Sequence, residues 1–412
     1  MKIIEQVLSK INSINKKQRV FFVLLVQGLI GVVGRRTFRN LSRYLEITEH
    51  TIARQMTKAF DFVGLNTELI KSARKDDDIY IAAQDETFYP KSGNQTHGLG
   101  YFWNGSAGKA EKGLAFDTIA AIKIKGAEKD GYTVSAAQSS ADQKSKQTEK
   151  KKTIDEPTKI DFSLNHVKKV MPQLLDLGIK HMVADAFFAK TKYVNGVVEL
   201  GLNVISKLRR DARLLRIYNG PQKARGRKKK FDTGKVNVDD FKGSIVTELD
   251  NEKIELFSCV AHSVSLNRVI KIVLVRKFLG DGKCGEAFLF STDTELEATS
   301  IFQYYVARFQ IEFIFRDAKG FVGLTDCQSR DARRIHYHFN ASLTALNVAK
   351  LQDHELQANK DTQHAFSITN WSRIYHVEIV INRFISMFGL DPTCIKSHPD
   401  FNNMLAFGNV KH

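Results

Sequence analysis

Two short apolar segments in the middle of the chain each end in an aspartate, and they limit the possible folds more than any other feature. The first is IYIAAQDET at 79–87, with Asp85, and the second is IKHMVADAF at 179–187, with Asp185. Their length and composition are typical of buried β-strands, and each aspartate is expected at the end of its strand. An amphipathic helical pattern at 162–178 lies between them. This alternation predicts an α/β fold with a mixed sheet.

Further strand patterns at 98–104 and 113–125 follow the first segment. We expect these three strands to pair in sequence order as an antiparallel meander. The polar and charged stretch at 138–159 is nearly free of apolar residues and predicts a flexible loop. Another strand pattern, LNVISKL at 202–208, extends the α/β alternation.

The N-terminal part contains one strongly apolar stretch, from Val20 to Val33. It includes Gln27 and is shorter than the ~20 residues that cross a bilayer, so we interpret it as a buried helix and expect no membrane partner. No secretory cleavage pattern follows it. The four cysteines show no CxxC spacing, which argues against a disulfide framework or a zinc cluster. We therefore expect a cytoplasmic protein.

Residues 37–60 have the pattern of two short helices joined by a turn. Thr48 is a suitable N-cap for the second helix, which is expected to reach Phe60. The layout resembles a helix-turn-helix, and in that interpretation Arg54 and Lys58 contact phosphates or base edges in a major groove. An ordinary helical hairpin without any DNA contact gives the same pattern and is the alternative.

The charge of the chain is strongly positive, with a formal net charge of +17 at pH 7. Such a charge is typical of proteins that bind a polyanion or an anionic membrane surface. Twelve Lys or Arg residues lie within 207–235, against two acidic residues. A solvated loop is one interpretation, but the one-sided excess favours a segment that contacts DNA phosphates. The candidate contacts of this segment are Arg225, Arg227, Lys228, Lys229 and Lys230.

A helical pattern resumes near Glu297 and continues to about Lys319, with polar residues spaced by three or four. On a helix these residues share one narrow face, and apolar residues including Phe309 and Phe313 cover the rest, which predicts deep packing. A buried Glu312 needs compensation from an arginine or from a metal ion. An internal salt-bridge ladder is the alternative to a functional site.

Three acidic residues, Asp85, Asp185 and Glu312, could converge if both strands end near this helix. Such a group suits Mg²⁺, a hard cation that takes oxygen ligands and often binds carboxylates together with phosphate oxygens. Each aspartate taken singly is more commonly a strand-end turn or a helix cap. The trio on a basic protein favours the metal site.

Four polar residues of this helix share the spacing Tyr-x2-Arg-x3-Glu-x6-Lys: Tyr305, Arg308, Glu312 and Lys319. Together with QDET around Asp85 and ADAFFAK around Asp185, this pattern resembles the DDE transposases of bacterial insertion sequences, in the cut-and-paste group with the Tyr-Arg-Glu-Lys signature. The sequence GRKKK at 226–230 lies where relatives have similar Gly-Arg-rich sequence. The resemblance covers about residues 35–350.

The resemblance implies an RNase H-like mixed sheet with flanking helices, interrupted by a β-rich insertion and preceded by a helical domain of the helix-turn-helix type. The expected domains are as follows: a helical DNA-binding domain at 1–75, the first part of the catalytic domain at 76–208, the basic and β-rich insertion at 209–292, the second part of the catalytic domain at 293–350, and a C-terminal helical region at 351–412.

The resemblance also assigns roles. Asp85, Asp185 and Glu312 would be the catalytic triad and would bind two Mg²⁺ ions that bridge the cut phosphate, with Mn²⁺ able to substitute. Tyr305, Arg308 and Lys319 would hold phosphates near the cut. Arg316 is added to these DNA contacts from helical spacing alone. The residue after Asp185 is Ala186, whereas several relatives have Arg there, so one phosphate or carboxylate partner is missing.

The resulting prediction is a bacterial, nucleoid-associated transposase. It would bind the terminal inverted repeats of its insertion sequence, cleave duplex DNA with Mg²⁺, and join the ends to target DNA as a homodimer. A metal-dependent nuclease on the same fold is one alternative. A domesticated DNA-binding protein with an idle triad is the other. The insertion has no tryptophan on which a flipped base could stack, so the use of a DNA hairpin stays open.

Overall fold

The protein was analysed as a computed structural model that describes residues 2–126, 128–139, 158–249, 252–278, 284–357 and 365–409. The strands are β1 (Ile79–Pro90), β2 (Gly100–Asn104), β3 (Lys109–Lys125), β4 (Glu128–Gln138), β5 (His181–Ala184), β6 (Asn203–Leu208), β7 (Leu214–Ile217), β8 (Phe231–Lys235), β9 (Lys242–Leu249), β10 (Glu252–Ser263), β11 (Arg268–Phe278) and β12 (Cys284–Ser291). The flexible loop expected at 138–159 falls almost wholly outside the described residues.

Helices precede, interrupt and follow these strands. They are α1 (Lys2–Lys10), α2 (Lys16–Gly31), α3 (Phe38–Tyr44), α4 (Glu49–Gln55), α5 (Phe62–Ser72), α6 (Lys159–Asp176), α7 (Thr191–Glu199), α8 (Ala298–Ala307), α9 (Gln310–Phe321), α10 (Ala332–Gln357), α11 (Ile368–Phe388), α12 (Pro392–Lys396) and α13 (Phe401–Leu405). The predicted mixed α/β fold is confirmed.

The described strands form one 12-stranded sheet in the order β2-β3-β1-β5-β6-β12-β11-β10-β7-β8, with β4 on β3 and β9 on β10. β5 is parallel to both β1 and β6, and the other pairs are antiparallel. The expected meander is wrong, because β3 lies between β1 and β2. β3 has 17 residues and β2 has five, so β3 pairs with β1 along most of its length and with β2 at its start.

The strands of the basic and β-rich segment continue the central sheet. β12 pairs antiparallel with β6, with Phe290 opposite Ser206, and β11 and β10 follow outward. The sheet therefore runs without interruption from the strands that carry the aspartates into the β-rich segment.

β4 was not predicted from the sequence, and its outer edge shows how the sheet meets α10. The side-chain oxygen of Asn347 accepts a hydrogen bond from the Thr133 N–H at 2.9 Å, and that of Asn340 accepts from the Ala136 N–H at 3.2 Å. The Lys350 ammonium donates to the Gly131 carbonyl at 3.0 Å. Buried backbone groups need such partners, so these side chains close an edge that would otherwise be unpaired.

The apolar stretch from Val20 to Val33 lies mostly in α2, and its prediction as a buried helix is confirmed. Phe22 and Leu25 are fully buried, and α2 packs against α10 and α11. Aromatic rings continue this core, with the Phe22 and Phe60 centroids 4.5 Å apart. Across the described ranges, no helix is long and apolar enough to span a membrane.

The two short helices expected within 37–60 are present as α3 and α4. The Thr48 hydroxyl accepts a hydrogen bond from the Thr51 N–H at 3.2 Å and caps α4 as expected. The expected extension of this helix to Phe60 is wrong, because α4 ends at Gln55. The Arg334 guanidinium of α10 donates to the Ala53 carbonyl at 3.0 Å, which fixes α4 to the helix below it.

Candidate active site

Asp85 and Asp185 lie just beyond the last paired residues of two neighbouring parallel strands, β1 and β5. The last parallel pair places Gln84 of β1 opposite Ala184 of β5, and each aspartate is the next residue along the chain. The expectation that Asp85 ends its strand is wrong, because β1 continues to Pro90 through its pairing with β3. The two aspartates are still close enough for the charge of Asp185 to raise the pKa of Asp85.

Asp185 is held by two local hydrogen bonds. Its carboxylate accepts from the Phe187 N–H at 2.9 Å and caps a 3₁₀ turn at Ala186–Phe188. The Ser206 hydroxyl donates to the Asp185 carbonyl at 2.8 Å, which ties the residue to β6. The Asp185 carboxylate, which could act as a metal ligand, is therefore held in place by the backbone N–H of Phe187.

Glu312 lies in the first turn of α9, and the expected continuous helix is interrupted just before it. The Ile311 N–H donates to the Arg308 carbonyl at 3.0 Å, and the Glu312 N–H donates to the Phe309 carbonyl at 3.0 Å. These i to i−3 bonds tighten the backbone between α8 and α9. The sequence pattern could not show this, because both helices continue the same amphipathic spacing.

The Arg308 guanidinium lies between two of the acidic side chains. Nη2 is 3.0 Å from Oε1 of Glu312, and Nη1 is 3.4 Å from Oδ2 of Asp85. The Arg308 side chain is only 10% exposed, whereas the Glu312 side chain is 40% exposed, so solvent screens the contact with Glu312 in part. The site therefore holds two carboxylates around one positive charge.

The three acidic groups also influence one another. Burial raises the pKa of Asp85 to about 7, and the negative charges of Asp185 and Glu312 raise it as well. The Arg308 charge and a hydrogen bond from the Glu86 N–H lower the pKa of Asp85, without cancelling the effect of burial. A group that is this close to neutral pH can exchange a proton for a cation.

The donor set suits a hard divalent cation, since all three side chains offer carboxylate oxygens. In the part of the chain that the structure describes, no three His, Cys, Asp or Glu side chains are grouped so as to hold a metal ion. Among the described residues, Asp85 and Glu312 are instead joined by their contacts with the Arg308 guanidinium.

The other residues of the Tyr-Arg-Glu-Lys pattern are only partly brought together. The Tyr305 ring centroid is 5.9 Å from Cζ of Arg308, and burial raises the Tyr305 pKa. The Lys319 ammonium donates to the Phe88 carbonyl of β1 at 2.9 Å. Arg316 pairs with Asp317 at 2.9 Å and is 68% exposed, so it does not join the Arg308 contacts.

Comparison with known protein families identifies the chain. The model of the family described as DDE superfamily endonuclease matches residues 6–240, which is more than half of the sequence. The chain belongs to the DDE superfamily of endonucleases. A second model, described as a transposase DDE domain, matches residues 159–348.

A comparison of the chain with curated proteins found no match. Among solved structures, the chain is similar to the piggyBac transposase synaptic complex with hairpin DNA. The identity is 11%, the TM-score is 0.42, and the match covers 98% of this chain and 81% of that chain.

The basic residues of the DDE endonuclease lie apart from the acidic site, on a hairpin. β7 and β8 pair antiparallel, and the residues between them form a loop that carries the five candidate contacts. The Lys229 ammonium pairs with Asp232 at 3.1 Å and lies 4.3 Å from the Tyr218 ring centroid. All five basic side chains are exposed, as are Arg54 and Lys58 near the end of α4.

A buried polar network beneath Asp85 was missed by the sequence analysis. The Gln84 amide donates to the Asp117 carboxylate at 2.7 Å, and Nδ1 of His166 lies 3.1 Å from the same carboxylate. Nε2 of His166 is 2.8 Å from the Ser135 hydroxyl, and the Tyr193 hydroxyl donates to the Gln84 side chain. The network joins β1, β3, β4, α6 and α7 directly below the site. In the sequence, this network is indicated by one feature, the aspartate Asp117 inside the apolar segment GLAFDTIAA.

The raised pKa of Asp85 makes stability depend on pH. The folded protein keeps the Asp85 proton up to about pH 7, whereas the unfolded chain loses it near pH 4, so this group lowers stability as pH rises between these values. Asp85→Asn mimics the neutral side chain. We expect its melting temperature to exceed that of the wild type at pH 8, and to exceed it by less at pH 5. Thermal unfolding at both pH values, without metal, measures the difference.

The matched control for this prediction is Asp211→Asn, since the Asp211 side chain is 71% exposed. It should shift the melting temperature little at either pH value. Equal effects of Asp85→Asn at pH 5 and pH 8 would contradict the assignment of a proton to Asp85.

Proposed function

We propose that the protein is a transposase of a bacterial insertion sequence with the Tyr-Arg-Glu-Lys signature. It would bind the terminal inverted repeats, cleave the DNA there with Mg²⁺, and join the ends to target DNA. One observation carries the proposal. In a chain of the DDE endonuclease superfamily, Asp85 and Glu312 contact the same guanidinium, and the charge of Asp185 acts on Asp85.

Asp85, Asp185 and Glu312 would hold Mg²⁺, or Mn²⁺ in its place, within an RNase H-like catalytic domain. When bound, the metal lowers the pKa of an attacking water or 3′ hydroxyl and stabilises the leaving oxygen. Arg308 supports a second role, because its Nε is buried and has no hydrogen-bond partner among the described residues. A phosphate could accept from this N–H, and Tyr305 of α8 and Lys319 of α9 would hold further phosphates.

Two further surfaces would bind duplex DNA. The helix-turn-helix interpretation places Arg54 of α4, and Lys58 just after it, in a major groove. The hairpin loop between β7 and β8 would contact phosphates through its exposed basic residues. Holding two ends together requires a homodimer, and a bacterial enzyme of this kind would act in the cytoplasm at the nucleoid.

Neutralising the hairpin loop should weaken DNA binding and change its salt dependence. We expect the triple variant Lys228→Ala, Lys229→Ala and Lys230→Ala to reduce the slope of log affinity against log salt by about one for each lost phosphate contact. Cleavage at saturating DNA should be less affected. Fluorescence anisotropy over a range of salt concentrations measures the slope.

The control for the loop variant is the pair Lys16→Ala and Lys17→Ala, which removes positive charge at the start of α2. An unchanged slope in the triple variant would contradict a phosphate-contacting loop.

The test of the proposed function uses the purified protein with DNA from both flanks of its gene and a supercoiled plasmid target. Cuts at flanking inverted repeats that need Mg²⁺, followed by joined products, are the expected result. Scattered cuts without joining would identify the metal-dependent nuclease. DNA binding without any product would identify a DNA-binding protein with an idle triad.

A further inference from the structure

The side chain of Gln84, the residue before Asp85, is fully buried, and both ends of its amide make hydrogen bonds within the protein. Its Nε2 donates to the Asp117 carboxylate at 2.7 Å and to the Ser163 carbonyl at 3.1 Å. Its Oε1 accepts from the Tyr193 hydroxyl. These partners belong to β3, α6 and α7, so Gln84 is held by three elements at the point where β1 carries Asp85.

Asp117 determines which way the Gln84 amide points. A carboxylate accepts hydrogen bonds, so it takes the nitrogen end of the amide and leaves the oxygen end for Tyr193. Asp117 is 1% exposed and is itself held by His166, whose Nδ1 lies 3.1 Å from Oδ2. Nε2 of His166 lies 2.8 Å from the Ser135 hydroxyl of β4. The network therefore gives the Gln84 amide one orientation.

Tyr193 connects Gln84 to the segment that carries Asp185. The Tyr193 side chain is fully buried, and its ring centroid lies 4.9 Å from that of Phe188, in the 3₁₀ turn that Asp185 caps. Burial raises the pKa of Tyr193, and the negative charges of Asp117 and Asp185 raise it further. One side chain thus contacts both Gln84 and the turn after Asp185.

The described pairing between β1 and β5 ends with Gln84 and Ala184, one residue before each aspartate. We propose that Gln84 and Tyr193 are positioning residues of the acidic site, and that their hydrogen bond fixes the separation of Asp85 and Asp185. This inference rests on the proposed function, since it takes the two aspartates as ligands of a metal ion.

The separation of two carboxylates matters most to a small cation. Mg²⁺ requires near-ideal octahedral geometry, whereas the larger Ca²⁺ accepts flexible coordination. Side chains behind the ligands that set their orientation typically change metal affinity by about 10–100-fold. A looser site should therefore lose Mg²⁺ affinity and discriminate less between the two ions, which a general loss of stability does not cause.

The test measures Mg²⁺ and Ca²⁺ binding to the full-length protein by isothermal titration calorimetry. We expect Tyr193→Phe, which removes only the hydroxyl, to weaken Mg²⁺ binding about tenfold and Ca²⁺ binding by less. Asp117→Asn should do the same, because an Asn amide can also donate and no longer sets the Gln84 orientation. The double variant should bind Mg²⁺ no more weakly than either single variant, since all of them break the same hydrogen bond. The Mg²⁺ concentration for half-maximal cleavage should rise by the same factor.

The control is Tyr375→Phe, which removes a buried hydroxyl that donates to the Gln352 side chain between α11 and α10. It should bind both ions like the wild type. Unchanged Mg²⁺ affinity in Tyr193→Phe, or an equal loss of Mg²⁺ and Ca²⁺ affinity, would overturn the positioning role, even if Mg²⁺-dependent cleavage is intact. The expected loss of Mg²⁺ affinity in a protein whose wild type makes no DNA product would support the positioning role and reject the proposed transposase.

Discussion

Replacing Glu312 with glutamine is expected to lower Mg²⁺-dependent DNA cleavage by ~10³-fold or more, because several kcal/mol of metal-derived stabilisation of the transition state is lost. Asp85→Asn and Asp185→Asn should have effects of the same order. These substitutions keep the size of the side chain but remove a negative charge that repels DNA. DNA binding should therefore be unchanged or stronger. Initial rates of cleavage and binding isotherms in Ca²⁺ measure the two quantities separately.

Glu295→Gln is the matched control for the triad variants, since Glu295 is an exposed acidic residue in the segment before α8. Its cleavage rate should equal that of the wild type. Loss of DNA binding in all three triad variants, together with loss of cleavage, would argue against a metal site at these residues.

The sequence was sufficient to predict the α/β alternation and both aspartate positions. Buried strands require apolar side chains. A carboxylate that directly follows an apolar segment is therefore easily recognised in the sequence. Asp185 follows β5 directly, as this reasoning requires. The same reasoning does not predict where β1 ends. The residues after Asp85 include polar and aromatic side chains, and only their pairing with β3 extends β1 to Pro90.

Features that depend on contacts distant in sequence could not be predicted. The order of β1, β3 and β2 follows from the length of β3, and the closure of β4 follows from amides on α10 that lie about two hundred residues away. Phe309 and Phe313, which were expected to be packed, are 51% and 38% exposed, and this was missed for the same reason. Apolar periodicity indicates which residues can be buried, but not whether another element covers them.

The helix face of the Tyr-Arg-Glu-Lys pattern was partly predicted. Spacing by three or four puts both Arg308 and Arg316 within reach of Glu312, and the structure shows the contact with Arg308. Arg316 has the same spacing from Glu312, yet its guanidinium pairs with Asp317 and lies over the Phe313 ring. Spacing along a helix defines neighbours, whereas the contact that forms depends on the elements packed against the helix.

Arg308→Ala is expected to destabilise the metal-free protein strongly at pH 8. Removing one partner of a fully buried ion pair costs ~3–5 kcal/mol. We expect about 2–3 kcal/mol here, because the Glu312 side chain is 40% exposed and solvent screens part of the interaction. At pH 5 the loss should be smaller, since Asp85 then carries a proton in the folded protein. Urea unfolding at both pH values measures the free energy of unfolding.

The same variant tests whether the guanidinium and a metal ion compete for Asp85 and Glu312. Mg²⁺ should raise the melting temperature of Arg308→Ala more than that of the wild type, because no cation has to be displaced from the carboxylates. The rise in melting temperature that Mg²⁺ causes in Arg308→Lys should lie between those of the wild type and Arg308→Ala. The Lys ammonium replaces the bidentate guanidinium contact with a single point charge. Arg316→Ala, from the same helix, should respond to Mg²⁺ like the wild type. An identical Mg²⁺ response in Arg308→Ala and the wild type would show that Arg308 and the metal ion do not compete for the carboxylates. Asp85 and Glu312 would then bind the metal without displacing the guanidinium.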